Sequence, residues 1–158
     1  MLLDEESKIV IPETRLLISD VNKELIKYLA SRPELLRDIH PRKFEQIIAE
    51  IFSDKGFNVE LTPATRDGGF DMYAAKNDAF GKLLYLVECK RYATTNKVGV
   101  EIVRSLNGVL NQRRATAGII VTTSSFTSRA IDFATPFQHQ MSLKDFEDLN
   151  CWLKEYKG

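Results

Sequence analysis

The chain has 158 residues, 44% of them hydrophobic, with 22 basic and 22 acidic side chains. That length encloses a real core in one ordinary globular domain, and zero net charge excludes a general field drawing the chain to nucleic acid. Two cysteines without CxxC or CxxH partners exclude a disulfide scaffold and a zinc site, and neither a signal peptide nor an apolar membrane span is legible, so a cytoplasmic protein with no membrane partner is expected.

Residues 1–18 are ambiguous, with apolar pieces at Ile9–Ile11 and Leu16–Ile18. Ser19 can cap a helix reaching Arg32, with Val21, Leu25, Ile26 and Leu29 on one face and Pro33 as its stop. Pro41 opens the next helix and Gly56 closes it. Between them Phe44, Ile47, Ile48, Ile51 and Phe52 follow the amphipathic template. On that wheel Glu45 lies at the edge of the apolar arc, able to reach a sheet beneath, while Glu50 points toward solvent.

Phe57, Val59 and Leu61 alternate with polar residues, the mark of a half-buried strand. TPATRDGG is turn chemistry, with Gly68-Gly69 supplying backbone freedom before the next acid. FDMYAA (70–75) predicts a second strand, with Phe70, Met72 and Ala74 on one face and Asp71 on the other. KNDAFG predicts a hairpin loop and KLLYLVECK (82–90) the third strand, so that an antiparallel hairpin brings Asp71 opposite Glu88 and Lys90. Asn96 can cap a helix from Lys97 to about Arg114 with Val98, Ile102, Leu106, Val109 and Leu110 as its stripe. AGIIVTT (117–123) is a strand covered on both faces, parallel to the third through a right-handed crossover. Ser125 or Thr127 begins a short helix to about Ala134, and Phe146, Leu149, Trp152, Leu153 and Tyr156 mark a final one.

Glu88 and Lys90 are the chemically informative pair. Residues i and i+2 of a strand project from one face, roughly 6.5–7 Å apart. A carboxylate and an ammonium therefore stand together at the end of an apolar strand, where burial is costly unless the charges pair or bind a metal. With Asp71 delivered opposite and Glu45 from the helix, the set suits Mg²⁺ and a water directed at a phosphodiester. Cys89 should face the other side, into core. His40 and His139 stand alone and read as structural. From Glu88 to Arg114 six basic residues face two acidic ones, a local +4 (6 − 2), enough for contact with phosphates.

FEQIIAEIFSDKGFNVELTPATRDGGFDMYA, LLYLVECKRY, VGVEIVRSLNGVL and AGIIVTTSSFTSRA together resemble the catalytic domain of the Mrr-type restriction endonucleases, within the PD-(D/E)xK nuclease superfamily. The likeness runs from about His40 to Ala134. It implies an α/β fold with a restriction-endonuclease-like αβββαβ core, a mixed central sheet flanked by helices, with extra N- and C-terminal helices. It also implies Mg²⁺-dependent cleavage of double-stranded DNA, with Mn²⁺ able to substitute, in defence against foreign DNA. Residues 1–158 would form a single nuclease domain: an extension over 1–40, a catalytic core over 41–134 and a C-terminal strand and helix over 135–158. Position by position, Asp71 is the motif aspartate, Glu88 and Lys90 fill the E-x-K pair, and Glu45 matches the glutamate of the first core helix. Asp71, Glu88 and the backbone carbonyl of Cys89 become the expected metal ligands. Arg91, Lys97 and Arg104 are candidates for DNA backbone contacts, with Gln112 near the site if its helix faces it. Target choice would need a separate specificity domain or subunit, and the apolar end elements suggest a homodimer. Two other readings stay open: an inactive nuclease-fold module for DNA binding or assembly, and a buried ion network in an unrelated α/β protein.

Overall fold

The computed structural model describes residues 13–63 and 69–158, and of residues 13–21 the backbone alone. The expectations for Ile9–Ile11, for turn residues 64–68 and for the side chains of Leu16–Ile18 and Val21 fall outside the described residues. Helix α1 spans Glu13–Ser31, starting earlier than Ser19, and Pro33 opens a 3-10 turn over Pro33–Asp38. Helix α2 covers Pro41–Asp54 with Pro41 in its first turn. The His40 ring caps it, Nδ1 accepting from the Arg42 N–H at 3.0 Å. Its stop is Gly56, at φ 97°, a conformation costly for other residues.

Strands β1 (Asn58–Leu61), β2 (Met72–Asp78), β3 (Gly81–Lys90), β4 (Ala117–Thr122) and β5 (Met141–Lys144) form one sheet in sequential order. β1, β2 and β3 are antiparallel neighbours, whereas β4 and β5 join in parallel. The parallel step from β3 to β4 is made by helix α3 (Val100–Arg113), and that from β4 to β5 by α4 (Ser128–Ala134). Helix α5 (Phe146–Glu155) closes the chain behind a capping box of Asp145 and Asp148. From α2 to β4 the order is the expected αβββαβ, and the sheet is mixed.

Each face of the sheet carries its own core. On one, Ile26 and Leu29 of α1, the apolar stripe of α2, and Leu149 and Leu153 of α5 cover Met72, Ala74, Val87 and Val121. On the other, Val103, Leu106 and Leu110 of α3 and Ala130 of α4 cover Leu86 and Ile120. The β4 run is thus buried from both sides, as its composition requires. Burial of residues such as Ile26 and Leu149 contributes about 1.5–3 kcal/mol each. Leu25, Trp152 and Tyr156, partly buried, also pack on this core, so part of the apolar surface that suggested a homodimer is used within the chain.

Three local expectations need correction. Phe70 does not share a face with Met72 and Ala74. It joins the opposite core and meets Tyr73 edge-on at 4.9 Å, because the strand begins only at Met72 and alternation does not extend through the bend before it. The hairpin loop is shorter than KNDAFG: β2 continues to Asp78, which pairs with Gly81. Helix α3 starts at Val100 behind Gly99, not at Lys97, since Val98 is held in extended backbone by a bridge to Phe126.

Candidate active site

The end of β3 sorts its side chains by alternation. Cys89 packs toward the α2 core, while Glu88 and Lys90 project from the other face. Glu88 is only 8% exposed, and its Oε2 pairs with Lys90 Nζ at 3.1 Å. Its second oxygen, Oε1, is buried with no hydrogen-bond partner. Asp71 arrives beside this pair through the register Met72↔Val87, and its own N–H donates to the Val87 carbonyl at 2.7 Å. The Asp71 carboxylate then turns back to β3, Oδ2 accepting from the Cys89 N–H at 2.6 Å.

Thr62 pins the backbone of the aspartate from behind, donating from both its N–H and its hydroxyl to the Asp71 carbonyl, at 2.9 and 3.1 Å. Thr122, fully buried, does the same for β3, its hydroxyl donating to the Lys90 carbonyl at 2.8 Å. Neither threonine carries a sequence signal, because each acts across strands on a backbone atom.

The charges respond to this crowding. Burial pushes the Asp71 carboxyl above the usual range, opposed by the Cys89 N–H and reinforced by the Glu45 charge. Burial likewise raises Glu88, with Lys90 pulling the other way. For Lys90, burial alone would lower the ammonium, but the Glu88 carboxylate outweighs it and holds it above its ordinary value. The Cys89 thiol is pushed well up by burial and by the surrounding carboxylates.

Glu45 stands at the flank, its Oε1 paired with Arg42 Nη1 at 2.7 Å. Its charge adds to the burial that raises Asp71. Arg42 was missed, although an (i, i+3) pair on a helix is legible in sequence. Glu50 does not meet open solvent: it is half-buried, and its Oε2 accepts from the Tyr156 hydroxyl at 2.8 Å. The wheel placed it away from the sheet correctly but could not foresee α5 on that side.

The basic candidates disperse. Arg91 is half-buried, with Nη1 donating to the Arg37 carbonyl. Lys97 is exposed, and Arg104, also exposed, lies over the Phe133 ring at 5.5 Å. Gln112 is exposed in the last turn of α3, and no described contact joins it to Asp71, Glu88 or Lys90.

Among the described residues, no group of three or more His, Cys, Asp or Glu side chains is gathered as a metal site. The donor set here is two carboxylates and the intervening Cys89 carbonyl. Such hard oxygen donors fit a divalent cation such as Mg²⁺. The partnerless Glu88 Oε1 is a buried acceptor awaiting a partner. No helix among the described residues is long and apolar enough to cross a membrane.

Comparison with known proteins agrees with the fold. An uncharacterized protein, y4cE, of Sinorhizobium fredii is 32% identical over 98% of this chain and 40% of its own length. The type IV methyl-directed restriction enzyme EcoKMrr of Escherichia coli is 32% identical over 64% of this chain and 34% of its own. The chain thus spans well under half the length of these curated relatives. Among solved structures, the DNA modification-dependent restriction endonuclease AspBHI superposes with a TM-score of 0.62, at 20% identity, over 98% of this chain and 38% of that one. The Mrr catalytic-domain family model, described as restriction endonuclease, matches residues 36–153, and the chain belongs to that family.

Proposed function

We propose that this chain is a Mg²⁺-dependent endonuclease domain that hydrolyses phosphodiester bonds in double-stranded DNA. The observation that carries the reading is Glu88 Oε1, buried and without a partner, beside Asp71 and with Lys90 on the other carboxylate oxygen. A buried acceptor left open costs about 1–3 kcal/mol, a cost explained if a cation completes it. Asp71, Glu88 and the Cys89 carbonyl would hold that cation. Bound there, it would polarise a phosphate oxygen and lower the pKa of a water.

The remaining roles follow from this chain's own groups. The Lys90 ammonium, held against the Glu88 carboxylate, would offset negative charge building on the phosphate and orient the attacking water. The Cys89 N–H holds Asp71 Oδ2 in one orientation, leaving the carboxylate aimed from a fixed strand. Glu45, tethered by Arg42, adds negative charge near Asp71 and would hold a water there.

The relatives' names speak of methyl-directed and modification-dependent restriction, which supports modified foreign DNA as the substrate. A further domain or subunit would then select the target, in the cytoplasm where such DNA arrives. The test is incubation of pure protein with methylated and unmethylated plasmid in Mg²⁺, Mn²⁺ or EDTA. Cuts are expected with either metal and none in EDTA. Intact plasmid under all conditions, from folded protein, would refute the reading.

A further inference from the structure

We infer that Arg37 binds a phosphate of the DNA backbone at the same end of the sheet as the acidic group, a contact outside the proposed metal and catalytic set, with Arg91 bracing it through the Arg37 carbonyl. The inference rests on the nuclease reading and extends it to the way the strand is held.

Arg37 lies on the 3-10 turn ahead of α2, yet its side chain reaches the carboxyl end of β4. Its Nε donates to the Thr123 carbonyl at 3.0 Å, and its guanidinium carbon sits 3.8 Å from the centre of the Phe146 ring. A carbonyl at one edge and an aromatic face below fix the plane of the fork and leave its terminal nitrogens for another partner. The Arg37 carbonyl in turn accepts from Arg91, whose Nε is buried with no acceptor. The ion pairs among the described residues are Arg32–Glu34, Arg42–Glu45, Lys55–Glu155 and Lys90–Glu88; none includes Arg37 or Arg91. Among the described residues Arg37 therefore has no ion-pair partner, although Asp145 and Glu147 stand at the cavity it faces.

A cavity of about 250 Å³ opens on Arg37 and is bordered by Thr94, Ser124 and Ser125. The Thr94 and Ser125 hydroxyls can donate to phosphate oxygens alongside a bidentate guanidinium, while that of Ser124 already donates to the Thr94 carbonyl at 3.5 Å. Asp145 and Glu147 also line it, but the Asp145 carboxylate is already engaged by the Asp148 N–H at 3.2 Å. The cavity belongs to the same end of the sheet as the acidic group: Thr94 follows Lys90 by one short loop, and the Ser124 N–H donates to the hydroxyl of Thr122, which holds the Lys90 carbonyl. In open α/β sheets ligands lie across the carboxyl ends of the strands. A DNA strand with one phosphate at Asp71 and Glu88 and running along this end of the sheet would bring another of its phosphates to the Arg37 cavity.

The test is binding of a fluorescent duplex by the full chain in EDTA, followed by anisotropy across a salt series. Arg37→Ala should weaken binding about tenfold and flatten the slope of log affinity against log salt by about 0.9, one phosphate contact. Arg37→Lys should keep the slope and recover only part of the affinity. Ser125→Glu places a carboxylate in the cavity without removing the Thr123 or Phe146 contacts. It should cost about tenfold at an unchanged melting temperature, and it keeps the test informative if Arg37→Ala folds poorly. Wild-type affinity and slope in both Arg37→Ala and Ser125→Glu would overturn this inference alone, leaving the nuclease reading intact. A wild-type chain that neither binds nor cuts DNA would remove both.

Discussion

The Asp71 carboxylate accepts a 2.6 Å hydrogen bond from the backbone N–H of Cys89, clipping the start of β2 to the end of β3. Because Cys89 separates Glu88 from Lys90, this one bond sets the position of the aspartate relative to both. It also gives Asp71 a structural duty that is separable from its charge.

That separation makes Asp71→Asn more informative than Asp71→Ala. The amide oxygen can still accept from the Cys89 N–H, while the buried charge disappears. Cleavage should fall by about a hundredfold or more, with the melting temperature unchanged or raised. Asp71→Ala should lose cleavage too, but with lower stability than Asp71→Asn. Plasmid nicking and thermal melting of the two variants check this, and a cleavage-competent Asp71→Asn would count against the metal-ligand role.

Stability should depend on pH with a definite sign. Burial raises both Asp71 and Glu88, so each carboxyl takes up its proton more readily folded than unfolded. Their contribution is fully present below the unfolded value of about 4 and is lost as pH rises through the raised folded value. The metal-free protein should therefore gain more from the combined Asp71→Asn and Glu88→Gln changes at pH 8 than at pH 4. Added Mg²⁺ should raise the melting temperature of the wild type at pH 8, less at pH 5, and not at all in the double variant. An equal Mg²⁺ shift in all three would show that the cation binds elsewhere.

Thr122 is expected to act on Lys90 through the backbone. Thr122→Val removes the donor to the Lys90 carbonyl and the acceptor of the Ser124 N–H in a fully buried place. It should destabilise the chain by about 1–3 kcal/mol and reduce the cleavage rate at saturating DNA. Thr122→Ser should restore most of both, since the hydroxyl returns with little change in volume. A rate unaffected by Thr122→Val in still-folded protein would separate the threonine from the position of Lys90.

Glu50 offers the opposite profile. Its carboxylate accepts from Tyr156 across the α2–α5 contact, and burial together with that carboxylate raises the tyrosine hydroxyl. Glu50→Ala and Tyr156→Phe should each lower stability by about 1 kcal/mol, with cleavage at permissive temperature unchanged. A double-mutant cycle should show coupling between them. Loss of cleavage in Glu50→Ala without loss of stability would mean that the wrong glutamate of α2 has been placed at the site.

Much of this protein was determined by its sequence alone, and each such feature is set by local geometry. The spacing of Phe44, Ile47, Ile48, Ile51 and Phe52 makes α2 one-sided, and the apolar run of β4 requires cover on both faces. Alternation alone puts Glu88 with Lys90 and turns Cys89 into the core. Periodicity names a face, however, and not the partner that meets it. Phe70 escaped the pattern because the backbone bends before β2 begins. Glu50 found Tyr156 at a separation of 106 residues, and Arg37 found the Thr123 carbonyl at 86. The side-chain grip of Asp71 on Cys89 and the threonines behind the site are likewise decisions of the tertiary structure. Packing of distant elements, which no local spacing encodes, brings those atoms within hydrogen-bond reach.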